Sequence, residues 1–443
     1  MTKIGLISLG CDKNRVDSEV MLENLRDGGY EITSNPSEAD VIIVNTCAFL
    51  ESARRESIDT VLEMFHYKDQ GSCKKIIVTG CLGQKFGKEI FDGLEEADAV
   101  VGTNEYGNIC NIVDETLRGE RKLYNGSNVC LTFGKRLLTT PKHFAYLKIG
   151  DGCDNFCSYC LIPYIRGRFR SVPAELVVEQ AKSLAEQGVK ELILVAQDTT
   201  KYGKDLYGEP KLVELLQSLS QIDGIEWLRL LYCYPELTDE KLISEIERNP
   251  KIAKYIDIPL QHVNDGILRA MNRKSTGEAV QKLFDRLARS NPKIEVRSTF
   301  ICGFPGETSE TIGEVEDFLR KNSLRNVGFF AYSREEGTVA AKLPNQVAER
   351  TKKSFVKRLY KTQYNVLKKL QQNDLGKTYR CIVDEFSHRE GNSFVYKVRT
   401  QFMAPEIDGV VYAYSDGELS LGEFVNVKIT NALEYDLVGD VIR

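Results

Sequence analysis

Cys153, Cys157 and Cys160 stand at Cys-x3-Cys-x2-Cys spacing in the run Cys153-Asp154-Asn155-Phe156-Cys157-Ser158-Tyr159-Cys160. Thiolates are the usual ligands of an iron–sulfur cluster, and a [4Fe–4S] cube normally takes four of them. Three leave one iron without a protein ligand, free to bind a small molecule. A zinc site would want a fourth ligand, for which only His143 stands nearby. A disulfide suits neither three thiols nor a chain that opens without a secretory signal. A second set is spread more widely: Gly10-Cys11, Thr46-Cys47 and Gly80-Cys81 each follow a strand-like run. One such cysteine would read as a small buried residue in a turn. Three in equivalent places point to a second cluster site.

Residues 1–118 alternate strand-like and helix-like runs, the pattern of an open α/β domain. Its clear strands cover residues 3–8, 40–44 and 74–78. In a parallel sheet the carboxyl ends of the strands share one edge, where open α/β folds bind ligands. Cys11, Cys47 and Cys81 are therefore expected to converge there. Cys73, Cys110 and Cys130 fall outside the pattern and read as structural. Residues 119–143 mix charge, glycine and polar side chains, with Pro141 near the end, and read as a linker.

Residues 144–345 show six βα repeats, with strands expected at 145–149, 191–196, 227–232, 255–258, 295–301 and 327–332. Six units rather than eight predict a partial (β/α)6 barrel, with function at the carboxyl ends of its strands. Three polar segments fall there: Gln197-Asp198-Thr199-Thr200, Pro259-Leu260-Gln261-His262 and Gly303-Phe304-Pro305-Gly306-Glu307-Thr308. The last also reads as a turn with Thr308 capping a helix, and His262 reads first as a hydrogen-bonded structural histidine. Arg166-Gly167-Arg168-Phe169-Arg170 follows the cysteine loop, where substrate, cofactor carboxylate and solvent are all open to it. No hydrolytic triad stands out, and no catalytic side chain is assigned. Residues 346–372 form a lysine-rich amphipathic pattern whose Phe355, Leu359, Tyr364, Val366, Leu367 and Leu370 can cover the barrel. The barrel domain with this helix spans 144–372. Residues 376–443 change to short alternating runs, the mark of a small antiparallel β-barrel.

The Cys153–Cys160 spacing resembles that of the radical S-adenosylmethionine enzymes, whose open iron chelates the amino and carboxylate groups of S-adenosylmethionine. In the first domain, Ser8-Leu9-Gly10-Cys11-Asp12-Lys13-Asn14-Arg15-Val16-Asp17-Ser18-Glu19 and Asn45-Thr46-Cys47 resemble the methylthiotransferases of that superfamily. Asp12 and Ala48 stand where that family often has proline and glycine, and neither is a ligand position. The resemblance implies two [4Fe–4S] clusters, one on Cys153, Cys157 and Cys160 and an auxiliary one on Cys11, Cys47 and Cys81. It implies S-adenosyl-L-methionine as cosubstrate, with Tyr159 approaching the adenine and Gln197 and Thr299 on strands lining its site. The terminal barrel resembles the TRAM domain, which often binds RNA. Ala196-Gln197-Asp198-Thr199-Thr200, Tyr202-Gly203, Asp205-Leu206-Tyr207-Gly208 and Ala404-Pro405-Glu406-Ile407-Asp408-Gly409 resemble the branch acting on an aspartate of a small-subunit ribosomal protein. The competing branch modifies an adenosine of transfer RNA. An electron-donor protein is implied as a further partner.

Bulk properties bound these expectations. The chain has 443 residues, 42% hydrophobic and 28% charged, enough for several cores. No run approaches the ~20 apolar residues of a membrane span. Twelve cysteines without an export signal suit a reducing cytoplasm. A net charge of −5 argues against coating nucleic acid by bulk electrostatics. Residues 376–443 carry eleven carboxylates against seven cations. Phosphate binding rests on Lys and Arg, so this acidic module is expected to meet a basic protein first and RNA second.

Overall fold

Each half-strand Val-Ile-Ile-Val or Leu-Ile-Leu-Val in this chain is apolar on both faces, as strands covered by helices on both sides must be. The computed structural model, which describes residues 1–126 and 131–442, places them at the centres of two parallel sheets. Cys130 lies outside the described residues. The first sheet holds β1 (Lys3–Ser8), β2 (Glu31–Thr33), β3 (Val41–Thr46), β4 (Lys75–Gly80), β5 (Ala99–Val101) and β6 (Lys122–Tyr124). Its order is β2-β1-β3-β4-β5-β6, parallel throughout. β3 is buried from end to end. The three-residue strands are too short to show a periodicity in sequence. β6 falls within the stretch expected to be a linker. That stretch is also tied down further on: Arg136 donates to the Tyr146 carbonyl at 2.6 Å, and Thr139 N–H to Glu19 at 2.9 Å.

The second sheet begins with β7 (Phe144–Lys148). A short antiparallel pair, β8 (Gly150–Asp151) and β9 (Arg170–Ser171), brackets the cysteine loop. β10 (Glu191–Val195), β11 (Trp227–Leu230), β12 (Ile252–Asp257), β13 (Glu295–Cys302) and β14 (Asn326–Ala331) complete a six-stranded parallel sheet in sequential order from β7 to β14. It is the expected open barrel. One continuous core fills the layer between strands and surrounding helices, including Leu192, Leu194, Leu216, Leu219, Ile243 and Phe300. The helix Glu349–Gln372 adds Phe355 and Leu359 to that core, while Lys353, Lys357 and Lys361 stay in solvent.

The terminal module is a closed five-stranded barrel of β15 (Thr378–Glu390), β16 (Ser393–Thr400), β17 (Val411–Ser415), β18 (Phe424–Ala432) and β19 (Leu437–Ile442). Its pairs are antiparallel except β17 with β19, which is parallel. Parity requires this, since a ring of five strands cannot alternate direction all the way round. Arg399 anchors the module to the foot of the open barrel. Its guanidinium holds Glu191 at 2.7 Å and Asp384 at 2.5 Å, while Arg229 holds the same Glu191 at 2.7 Å and His143 meets Asp384 at 2.8 Å.

The loop between β16 and β17 enters the open barrel. Ala404 lies in one cluster with Val16 of the first domain and with Tyr146, Ile193, Leu231 and Tyr255 of the barrel strands. Asp408 accepts from the Tyr255 hydroxyl at 2.8 Å, and Glu406 from the Tyr146 hydroxyl at 2.8 Å and from Arg15 at 2.8 Å. Three expected surface carboxylates, Asp384, Glu406 and Asp408, are thus committed within the chain, as is Arg399. What remains of the module's charge is eight carboxylates against six cations, a smaller acidic surplus than the sequence alone gives. Among the described residues no helix is long and apolar enough to cross a membrane.

Candidate functional site

Cys11 sits immediately before the helix Asp12–Asp27, Cys47 immediately after β3, and Cys81 opens the helix Cys81–Gly93 after β4. Since β1, β3 and β4 are neighbours, the three thiols meet at one sheet edge. Two helix amino-termini point their unpaired N–H groups there, which favours thiolates and an anionic cluster. Close approach depends on glycine: a Cβ on Gly10, at φ +89°, would lie 2.8 Å from the Cys47 Cβ. Asn14 ties the edge together, donating to the carbonyls of Leu9 and Thr46 at 2.8 and 3.0 Å. The Ser57 hydroxyl closes the Cys47 turn through its N–H and carbonyl. Burial pushes the Cys81 thiol up to about 12 and raises Cys47, the neighbouring cysteines adding to both. Metal binding is what would release those protons.

The second triplet is held by its own loop. Asn155 N–H donates to the Cys153 sulfur and Ile162 N–H to the Cys160 sulfur, both at 3.4 Å. The Cys157 sulfur lies 3.9 Å from the Tyr234 hydroxyl. Phe156 takes a left-handed φ of +47°, held by Asn272, whose amide donates to the Phe156 carbonyl at 2.9 Å. Burial pushes the Cys153 thiol up to about 11 and raises Cys160 further. Among the described residues no three His, Cys, Asp or Glu side chains close to the spacing of a single metal ion. A cube asks for something different, since it spreads its irons so that each thiolate meets its own.

A buried ionic network joins the two triplets. Arg166 holds Asp17 at 2.6 Å and Asp151 at 3.1 Å, and donates to Asn14 at 2.8 Å. Lys148 pairs with the same two carboxylates. Asp151 lies two residues before Cys153, and its carboxyl stays well below the usual range because Arg166 and Lys148 outweigh its burial. Of the basic run after the cysteine loop, only Arg166 is thus internal; Arg168 is exposed. Sequence alone does not show this network, because its members come from two domains and carry no motif.

The remaining expected site residues divide. Tyr159 packs against the apolar group of Ile267, Met271, Phe304, Tyr332 and Ala340. Gln197 donates to Asp151 at 2.9 Å, and its carbonyl oxygen is buried without a hydrogen-bond partner. Thr299 is half-buried on β13. His262 is fully buried, accepting from Asn264 N–H at 2.9 Å and lying 3.4 Å from Glu307, so it stiffens the loops. Thr308 caps the helix Ser309–Asn322 in a capping box with Thr311. Cys73 and Cys110 donate their thiols to backbone carbonyls. Arg273 was not legible in the sequence. It is buried, stacks 4.2 Å from the Tyr234 ring centroid, and leaves Nε and Nη1 unpartnered. The free Gln197 carbonyl and the two free nitrogens of Arg273, whose Nη2 donates to the Pro259 carbonyl at 3.0 Å, fit the ammonium and carboxylate of an amino-acid head group.

Residues 3–102 match the Uncharacterized protein family UPF0004, residues 147–319 the Radical SAM superfamily, and residues 375–442 the TRAM domain. The chain is 48% identical to the ribosomal protein uS12 methylthiotransferase RimO of Clostridium tetani, over 100% of this chain and 99% of that one. It is 47% identical to the protein of the same name from Clostridium botulinum, over 99% and 98%. In fold it is similar to TsrM of Kitasatospora setae, a radical S-adenosylmethionine methyltransferase (TM-score 0.56, 15% identity, 74% and 73% of the two chains). It is also similar to OxsB, a cobalamin-dependent S-adenosylmethionine radical enzyme (TM-score 0.52, 13% identity, 83% and 56%).

Proposed function

The chain belongs to the RimO family of ribosomal protein uS12 methylthiotransferases, and we propose that it attaches a methylthio group to the β-carbon of an aspartate in that small-subunit ribosomal protein. It is a radical S-adenosylmethionine enzyme whose cofactors are two [4Fe–4S] clusters and S-adenosylmethionine. Together these supply a carbon-centred radical for hydrogen abstraction and a sulfur for insertion.

The single observation that carries the reading is that one short segment after β11 reaches both cysteine triplets. The carboxyl end of β11 lies between them: the Tyr232 hydroxyl is 3.5 Å from Asp12, next to Cys11, and Tyr234 touches Cys157. A substrate carbon held there is within reach of both halves of the chemistry. Cys153, Cys157 and Cys160 would hold the cluster that binds S-adenosylmethionine, leaving one iron open. Gln197 and Arg273 would orient the amino-acid end of S-adenosylmethionine, Tyr159 would flank its adenine, and Thr299 would line the strand beneath. Cys11, Cys47 and Cys81 would hold the auxiliary cluster at the sheet edge. The apolar cluster containing Ala404 and Leu231 lies below and would keep water from a radical.

The residual acidic surplus of the TRAM barrel supports contact with a basic protein, with RNA secondary. An electron-donor protein in the cytoplasm would dock at the exposed rim at Phe156, next to the cysteines that would hold the redox-active cluster. The test is a paired anaerobic assay with reduced enzyme, S-adenosylmethionine and a sulfur source. One sample receives the small-subunit ribosomal protein, the other unmodified transfer RNA, and both are read by mass spectrometry. A methylthio mass increase on an aspartate peptide supports the proposal; a methylthio nucleoside overturns it.

A further inference from the structure

We propose that Lys13 is the receptor for the carboxylate of the target aspartate, an assignment that rests on the substrate reading above. The reacting β-carbon is one bond from the side-chain carboxyl carbon, so whatever holds that carboxylate must stand in the chamber between the two triplets. A carboxylate brought out of water into such a place needs a cation. Among the described residues, Arg273 stands on the Tyr234 side and is assigned above to S-adenosylmethionine, and five further cations come near. Arg166 and Lys148 share Asp17 and Asp151. Arg297 is taken by Asp408 at 3.3 Å and Asp257 at 3.7 Å. Arg15 grips both oxygens of Glu406 at 2.8 and 2.9 Å.

Of these five described residues Lys13 alone has no such commitment. Its side chain is only 7% exposed, yet its one anionic partner is the neighbouring Asp12, at 3.0 Å. Its ammonium otherwise rests on the face of the Tyr232 ring, 3.1 Å from the centroid. An ammonium has three donors, and a bond to an adjacent carboxylate plus a ring leaves it under-partnered. Tyr232 itself is at φ +59°, a left-handed backbone that a large residue adopts at a cost and that aims its ring across the chamber. When a carboxylate enters, the ammonium's three donors and flexible four-carbon stem let it hold that carboxylate and Asp12 together without moving the helix. Lys13 lies two residues from Cys11, which places the bound carboxylate beside the auxiliary cluster.

The assignment is tested by binding rather than turnover. Dissociation constants are measured for holoenzyme with the ribosomal protein and with its target aspartate replaced by asparagine, using wild-type, Lys13→Gln and Lys13→Arg enzymes. A charge-assisted hydrogen bond of about 1.5–3 kcal/mol predicts that the wild type binds the asparagine form roughly ten- to a hundredfold more weakly. Lys13→Gln should bind both forms equally, at the weaker level, while Lys13→Arg retains much of the preference. Iron and sulfide content confirm that Lys13→Gln remains loaded. If Lys13→Gln discriminates as the wild type does, or if Lys13→Arg and Lys13→Gln both lose the preference, the receptor is another residue. If wild-type enzyme leaves the ribosomal protein unmodified, the substrate reading has failed instead, and this assignment falls with it.

Discussion

The Arg166 guanidinium lies 3.5 Å from the Cys81 sulfur, joining the loop of one cysteine triplet to a ligand of the other. It reaches that position from the residue run that follows Cys160, and two aspartates from different domains hold it there. The two sites are therefore parts of one rigid unit.

Arg166→Ala should separate them. Losing one partner of a buried ion network costs about 3–5 kcal/mol, and the strain falls on the edge carrying Cys81. Iron analysis of anaerobically prepared variant should fall from about eight toward about four atoms per chain. Retention of both clusters would show that Arg166 does not couple them.

Removing ligands should split the activities. Cys11→Ala is expected to lose one cluster and all methylthiolation while still releasing 5′-deoxyadenosine, whereas Cys157→Ala loses that release too. Gly10→Ala should behave as Cys11→Ala, because its new methyl would collide with Cys47. Quantifying 5′-deoxyadenosine beside the methylthio product checks all three. One cluster in the wild type, unchanged by Cys11→Ala, would sink the two-cluster scheme.

The seam between the open barrel and the terminal module depends on Arg399, which is buried with Glu191 and Asp384 on it. Arg399→Ala leaves two carboxylates facing Arg229 and His143 alone. We expect a loss of about 3–5 kcal/mol, seen in denaturant melts as a shifted midpoint. An unshifted midpoint would mean that the seam is held by other contacts, such as the ring pair Trp227 and Phe424.

Asp257 should make stability depend on pH. Burial pushes its carboxyl up from 3.8 to about 6, with Arg297 opposing, and its Oδ1 has no hydrogen bond, only that guanidinium at 3.7 Å. Between those values the folded chain binds the proton more tightly than the unfolded chain does. Its contribution is therefore present below pH 3.8 and is lost as pH rises through about 6. Asp257→Asn, which cannot ionise, should gain on the wild type by about 3 kcal/mol between pH 4 and pH 7. Parallel curves for the two proteins across that range would refute the assignment.

The strand-end cysteines were legible because a period of strand, turn and cysteine repeats three times in the sequence. The six barrel strands were legible because they are long and apolar, and their ends agree with the structure to within a few residues. β2, β5 and β6 were not, since three residues show no alternation and depend on neighbours for their hydrogen bonds. Glu406 and Asp408 read in sequence as surface charge. Only the folded chain shows them turned toward Arg15, Tyr146 and Tyr255, because a loop's direction is set by the barrel it enters. Arg273 and Lys13 belong to the same class: a single cation in a polar run gains meaning from partners it lacks.

The loop carrying Ala404 and Glu406 has a consequence for how the protein is made. All six cysteine ligands have been synthesised by residue 160, and the open barrel can assemble as its helices follow, since domains fold from the amino terminus during synthesis. Its foot remains uncovered until residues 404–408 emerge near the end of translation. Iron and sulfide can thus be delivered through a doorway that the chain shuts behind them, and a message truncated after the helix Glu349–Gln372 would yield a protein able to receive clusters but unable to keep oxygen away from them.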